Sequence, residues 1–195
     1  MTVKAKDNEN KNKIFAFTDV DKTLNVYPSE FDFNSSWNLI GNPYPSYYDI
    51  RYMDFNAPIT VWNGNGYTAY SLVDDDYRLN PYEAFFVQCP VDDAHIRFGS
   101  KGRSHYDLIY DDYSTRTRVI SNMDERQVLN FHLSGNGYTD RARLVLNENA
   151  RADYEINCDA GKLMSSNTDV PQLYVTDGGV RYAIDERPQG DGRYT

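Results

Sequence analysis

No apolar run in this chain approaches the roughly 20 consecutive residues that a helix needs to cross a bilayer, so membrane insertion is not expected. Clustered positive charge is missing as well. There are 20 Lys and Arg against 29 Asp and Glu, the net charge is −9, and the basic residues are scattered apart from a stretch over residues 4–13. Phosphate backbones and anionic lipid surfaces call for concentrated Lys and Arg, so neither nucleic acid nor an anionic membrane is an expected partner. Cysteine and histidine are sparse, at two and three. With no Cys-x-x-Cys, a zinc set would have to draw on too few ligands. Cys89 and Cys158 are open to a disulfide or to two thiols, because bridging depends on distance in the fold and not on spacing. His95, His105 and His132 have no Gly-x-Ser-x-Gly nucleophile elbow to work with, and His132 reads as a solvent-facing strand residue. With 29 carboxylates, pairing by chance is near certain, so acidic pairs do not by themselves indicate a glycosidase. The chain reads as not an enzyme.

Stretches rich in Ala, Leu, Lys and Glu, which favour helices, are also lacking. Tyr is abundant instead, at 17 of 195 residues, and aromatics reach 14 %. Tyr, Phe, Val and Ile fit a pleated, half-buried surface. Residues 59–62 read as a strand, Asn63-Gly64-Asn65-Gly66 as a hairpin turn and residues 67–73 as the return. Residues 84–89 form a continuous apolar strand suited to the centre of a sheet. Residues 128–133 alternate, Ser134-Gly135-Asn136-Gly137 turns, and Ala142, Leu144 and Leu146 share one face of the return. Asp177-Gly178-Gly179 joins a last hairpin ending near residue 185. Short strands with regular turn signals predict an all-β, mostly antiparallel β-sandwich or jelly roll, with at most one short helix near residues 148–153. The expected organisation is a flexible segment over residues 1–13, a β domain over 14–187 with room for two sub-sheets (about 14–92 and 93–187), and a flexible tail over 188–195. The opening MTVKAKDNENKNK has no hydrophobic segment and is not read as a signal peptide. Polar ends favour a piece of a longer exported chain over a cytosolic protein.

Two local patterns invite chemistry. Residues 14–24 carry an apolar strand followed by Asp19-x-Asp21-x-Thr23, which resembles the first motif of haloacid-dehalogenase phosphatases. In those enzymes one Asp attacks phosphorus and the other moves a proton beside magnesium. That fold needs alternating strands and helices, and helical periodicity is nearly absent after residue 25, so an edge strand and a polar turn is the preferred reading. Asp74-Asp75-Asp76, Asp92-Asp93 and Asp111-Asp112 offer oxygen ligands for calcium. None has EF-hand spacing, and solvated acidic loops are the simpler expectation.

A longer resemblance starts at Ser36-Trp37-Asn38-Leu39-Ile40-Gly41-Asn42-Pro43-Tyr44-Pro45-Ser46. It continues through Pro58-Ile59-Thr60-Val61-Trp62-Asn63-Gly64, Tyr67-Thr68-Ala69-Tyr70-Ser71 and Asn80-Pro81-Tyr82-Glu83-Ala84-Phe85-Phe86-Val87-Gln88. Weaker matches follow at Asp140-Arg141-Ala142-Arg143-Leu144-Val145-Leu146-Asn147 and over residues 153–162. Over roughly residues 34–187 the chain resembles the GNPYP-type β-sandwich domain of large exported proteins of gut and oral anaerobes. There the domain accompanies leucine-rich repeats, β-helices or hydrolase modules, often before a type IX secretion sorting domain. The resemblance implies a cell-surface or secreted setting, neighbouring domains of a larger parent chain as partners, and no catalytic set. Physically, Trp37 is expected to fill the core beside the turn, Gly41, Pro43 and Pro45 to shape it, Asn42 to satisfy its backbone groups and Tyr44 to belong to the same motif. Phe85, Phe86 and Val87 are expected to be buried together.

The leading functional expectation is a non-catalytic accessory or spacer module that supports neighbouring domains. The alternative is a carbohydrate-binding or adhesion module, with a glycan or a host protein as partner. Tyr47, Tyr48, Trp62 and Tyr67 are its candidate ligand-binding residues, with Tyr47 and Tyr48 expected to be the exposed loop pair. Sugar binding predicts aromatics exposed on a sheet or loop surface. A spacer predicts the same aromatics buried.

Overall fold

The computed structural model describes residues 2–5, 13–16, 37–89, 95–105 and 126–190. Asp19, Asp21 and Thr23 lie outside these residues, as do Asp92, Asp93, Asp111 and Asp112. Among the described residues sixteen strands run in chain order. They are β1 (Thr2–Ala5), β2 (Lys13–Ala16), β3 (Trp37–Gly41), β4 (Tyr47–Asp49), β5 (Met53–Asp54), β6 (Ile59–Trp62), β7 (Tyr67–Tyr70) and β8 (Arg78–Leu79). The chain continues with β9 (Ala84–Gln88), β10 (His95–Phe98), β11 (Arg103–Ser104), β12 (Gln127–Gly135), β13 (Tyr138–Leu146), β14 (Ala160–Gly161), β15 (Val175–Asp177) and β16 (Val180–Arg187). The fold is all-β. The only helical elements among the described residues are 3₁₀ turns at Ile50–Tyr52 and Ser100–Gly102. None of their helices is long and apolar enough to cross a membrane.

The strands form four sheets, ordered β3-β9-β6-β7, β1-β2-β10-β5, β11-β4-β8 and β12-β13-β16-β14, with β15 added beside β16. All pairings are antiparallel except β13 with β16. β10 and β11 lie beyond residue 92 yet pair with β2, β5 and β4 from the first half. The strand leading into the Asp19 motif, β2, is antiparallel to both its neighbours, whereas the phosphatase fold needs a parallel sheet.

Strand alternation builds the main core. Ile40, Phe85, Val87, Ile59 and Val61 point to one face of the β3-β9-β6-β7 sheet and pack with Tyr48, Met53, Leu79, Ile96 and Phe98 from the β1-β2-β10-β5 and β11-β4-β8 sheets, and with Ile50 from the first 3₁₀ turn. Each such side chain contributes roughly 1.5–3 kcal/mol when fully buried. β9 is flanked by β3 and β6, as its unbroken apolar run predicts. Phe86 departs from that expectation: with Phe85 and Val87 facing the core, the pleat turns Phe86 to the opposite face, where it is only half-buried. The helix expected near residues 148–153 is not formed. Asn147 instead makes a tight turn, its Oδ1 accepting from Asn149 N at 3.0 Å while Ala150 N donates to Asn147 O at 3.0 Å.

The Gly41-to-Ser46 turn is organised by Asn42, which is buried. Its Nδ2 donates to Ser46 O and Asn80 O, both at 2.8 Å, and its Oδ1 accepts from Tyr44 N at 3.1 Å. Tyr44 Oη donates to Phe98 O at 2.9 Å. Trp37 is buried, facing away from the main core beside Gln88.

Candidate functional site

The second face of the β3-β9-β6-β7 sheet is divided along its length. Trp37 and Gln88 at one end are buried, and so are Thr60 and Ala69, which continue the row of Leu39 and Phe86 across β6 and β7. Tyr154 Oη bonds to Gln88 Oε1, and Ala160, Ala183 and Ile184 pack on Ala69. At the other end the same face is open. Leu39 is 48 % exposed and Trp62 42 %, while Tyr67 and Phe86 are half-buried. Register explains the strip: Leu39 lies opposite Phe86, and Trp62 opposite Tyr67. The Trp62 and Tyr67 rings sit 4.8 Å apart at 56°, and Tyr67 meets Phe86 edge-on at 5.9 Å.

The hairpin tip beside this strip is tightly held. Asn63 Oδ1 accepts from Asn65 N at 3.1 Å and from Gly66 N at 2.9 Å. Ser165 Oγ donates to Asn65 O at 2.7 Å, which brings the loop carrying Asn167 and Asp169 against the tip. Tyr82 precedes β9 at the same open end, is 66 % exposed, and has a φ of 60°. A bulky side chain in the left-handed region costs about 1–2 kcal/mol, and such outliers collect at functional surfaces.

Of the four aromatics proposed from sequence, Trp62 and Tyr67 meet in this strip. Tyr47 and Tyr48 do not join it. They are not a loop pair; both belong to β4, which turns Tyr48 fully inward and leaves Tyr47 half-buried. Tyr48 stacks on Tyr44 at 5.8 Å, meets Phe98 edge-on at 5.1 Å, and donates its hydroxyl to Tyr52 O at 2.9 Å. Leu39, Phe86 and Tyr82 were missed. The signal for Leu39 is the alternation of β3 from Trp37, and for Phe86 the alternation of β9, which the continuous apolar run of that strand obscures.

Two members of the acidic triplet, Asp74 and Asp75, take guanidinium groups and not calcium, while Asp76 is exposed. Asp74 accepts from Arg126 Nη1 at 3.0 Å and Nη2 at 3.2 Å, and Arg126 also reaches Glu186 at 3.0 Å. Asp75 is held by Arg143 through two bonds, at 2.9 and 2.8 Å, and by Arg141 Nη1 at 2.8 Å. Arg141 also donates to Ala69 O, and Arg143 Nε to Asn130 Oδ1 at 2.7 Å. These carboxylates therefore tie the β7–β8 connection to β12 and β13, and their oxygens are already occupied. Among the described residues no group of three or more His, Cys, Asp or Glu is placed to hold a metal ion.

A cleft of about 460 Å³ lies beside Arg126, lined in part by Phe55, Pro58, Asn147, Asn157 and Cys158. Its charges are internally paired, and Asn147 Nδ2 donates to Glu186 Oε1 at 2.6 Å. Cys89 and Cys158 are not bridged to each other, and the first is buried in the main core. Burial, reinforced by Glu186, Asp159 and Glu155, pushes the Cys158 thiol up to about 11, so at neutral pH it is not a thiolate nucleophile.

No family model, no curated protein and no solved structure matches this chain.

Proposed function

We propose that this chain is a non-catalytic recognition module that stacks the sugar rings of a glycan on the open aromatic end of the β3-β9-β6-β7 sheet. The observation that carries this reading is Trp62. It stays widely exposed on a sheet face whose other end is fully covered, and its ring leans on Tyr67. Trp buries more area than other side chains, and contiguous exposed apolar patches mark interaction sites, so an open Trp within this strip is a surface poised for a partner. The strip offers flat apolar faces to pyranose C–H groups, and the adjoining tip and loop offer Asn65, Asn167 and Asp169 for hydroxyls. A cell-surface or secreted setting, as part of a longer chain, accords with the GNPYP-type resemblance and belongs to this proposal.

The test is binding of the purified chain to a panel of plant and host glycans, alongside Trp62→Ala, Tyr67→Phe and Tyr82→Ala. Truncating a central aromatic contact costs about 2 kcal/mol or more, roughly thirtyfold in Kd. Trp62→Ala should show that loss and Tyr82→Ala a smaller one, while Tyr67→Phe, which keeps the ring, should bind nearly as wild type. Absence of saturable binding across the panel, or unchanged binding by Trp62→Ala, would remove the proposal. The spacer reading would then lead. It is favoured by the Asp74 and Asp75 clamp, which joins segments far apart in the chain into a stiff unit.

A further inference from the structure

β12 is an edge strand unlike the others. Among the described residues its only strand partner is β13, and all nine of its residues are exposed. Leu129, Phe131 and Leu133 form a row on one face, each more than 40 % exposed, and Val128 lies on the other. Natural proteins shield long edges with charge, proline or a bulge. Gln127-Val128-Leu129-Asn130-Phe131-His132-Leu133-Ser134-Gly135 has no Asp, Glu, Lys, Arg or Pro, and its register with β13 is unbroken.

We infer that β12 pairs antiparallel with β12 of a second copy of this chain, about a twofold axis through Phe131. Register favours this occupant. The β12–β13 turn is Asn136-Gly137 with φ of 54° and 81°, a type I′ hairpin that makes Gly135 and Tyr138 a hydrogen-bonded pair. Counting back from that pair, the odd-numbered residues of β12 turn their N–H and C=O groups to β13. Val128, Asn130, His132 and Ser134 turn theirs outward. Centring the axis on Phe131 sets Asn130 opposite His132 of the copy and Val128 opposite Ser134. All the outward groups then pair, in roughly eight hydrogen bonds. The same register sets Leu129 opposite Leu133 and Phe131 opposite itself, so the apolar rows merge into one. No other twofold register uses the whole strand. The contact itself adds no repulsion, because the two copies, each at −9, meet along a strand with no Asp, Glu, Lys or Arg. The contact is isologous and closes on itself, giving a dimer and not a fibre.

A strand edge buries less than the roughly 800 Å² per partner of a standard interface, so dimerisation is expected at micromolar concentrations and above. The measurement is sedimentation equilibrium of the full chain from about 1 to 200 µM, beside Phe131→Lys, which places like charges face to face. The wild type should move from monomer to dimer, and the variant should stay monomeric with an unchanged thermal midpoint. A second readout does not depend on that variant folding. In a Cys158→Ser background, Phe131→Cys should oxidise to a disulfide-linked dimer, because a non-hydrogen-bonded pair brings Cα atoms to about 4.5 Å. Ser134→Cys in the same background meets Val128 and should not cross-link. Monomer throughout the range, open-ended assembly, or equal cross-linking at 131 and 134 would each overturn the inference.

Discussion

Asp159 is 2 % exposed and lies among acids. Its Oδ2 accepts from Glu155 N at 2.7 Å and its Oδ1 from Glu186 N at 2.8 Å, and both bonds favour the charged form. Burial outweighs them, helped by Asp185 and Glu186, and pushes the carboxyl up to about 7. The unfolded chain releases this proton near the ordinary carboxylate value of 3.8, so between about 4 and 7 the folded state binds more protons than the unfolded one. The contribution to stability is full below that window, declines as pH rises through 7, and is flat above. Between pH 5 and 8 the loss from this group should be roughly 2.6 kcal/mol. Following the Asp159 side-chain carboxyl carbon by NMR should give a midpoint near 7, and a midpoint near 4 would show that the two N–H donors dominate. Little of this was legible in the sequence, since Asp159 is one acid among 29 and its burial arises from β14 and β16 closing over it. Tyr47 and Tyr48 show the same limit. Alternation requires one to face in and one out, but which one does depends on β11 and β8 pairing with β4, and those strands lie far along the chain.

At the level of elements, the 3₁₀ turn Ser100–Gly102 is pressed against the buried face of Tyr48. A Cβ placed on Gly102 would lie 2.7 Å from Tyr48 Cζ and 2.9 Å from Tyr52 Cβ. Tyr48 cannot yield, because it is stacked on Tyr44, meets Phe98, and is bonded through its hydroxyl to Tyr52 O. Gly102→Ala should therefore destabilise by about 1–3 kcal/mol as an overpacked site. Gly135→Ala, where nothing lies within 4 Å of the new methyl, should cost far less. Urea unfolding of the two variants checks this, and equal midpoints would mean the turn moves away freely. Hairpins were the legible elements. Asn63-Gly64-Asn65-Gly66, Asn136-Gly137 and Gly178-Gly179 supply the positive φ angles that two-strand turns demand, and each one turns where the residues predict. The parallel pairing of β13 with β16 had no such local signal, because no turn joins those strands.

Across the whole molecule, the clamp at Asp75 couples the sheet that bears the aromatic strip to the sheet that bears the open edge. Arg141 and Arg143 project from the same face of β13 toward the β7–β8 connection and away from solvent, where an unpaired guanidinium would be costly, and Asp75 meets both from 66 and 68 residues away. Sequence shows an acidic triplet and an Arg-x-Arg pair but not that they meet, so the triplet reads as a solvated loop until the fold is known. Asp75 also accepts from Ser71 N at 2.7 Å, which ends β7 and fixes the loop that presents the carboxylate. Removing it leaves two largely buried cations facing each other. Asp75→Ala should lose about 3–5 kcal/mol in urea unfolding, the range found when one partner of a buried ion pair is deleted. Because the pair is shielded from solvent, 1 M salt, which shortens the screening length to about 3 Å, should leave most of that difference in place. A loss under about 1 kcal/mol, or one that salt abolishes, would class the clamp with exposed surface pairs. The aromatic strip supplies a second readout: with the sheets uncoupled, the environment of Trp62 should become more solvent-like in Asp75→Ala at temperatures below global unfolding, seen as a red shift of its fluorescence in a Trp37→Phe background.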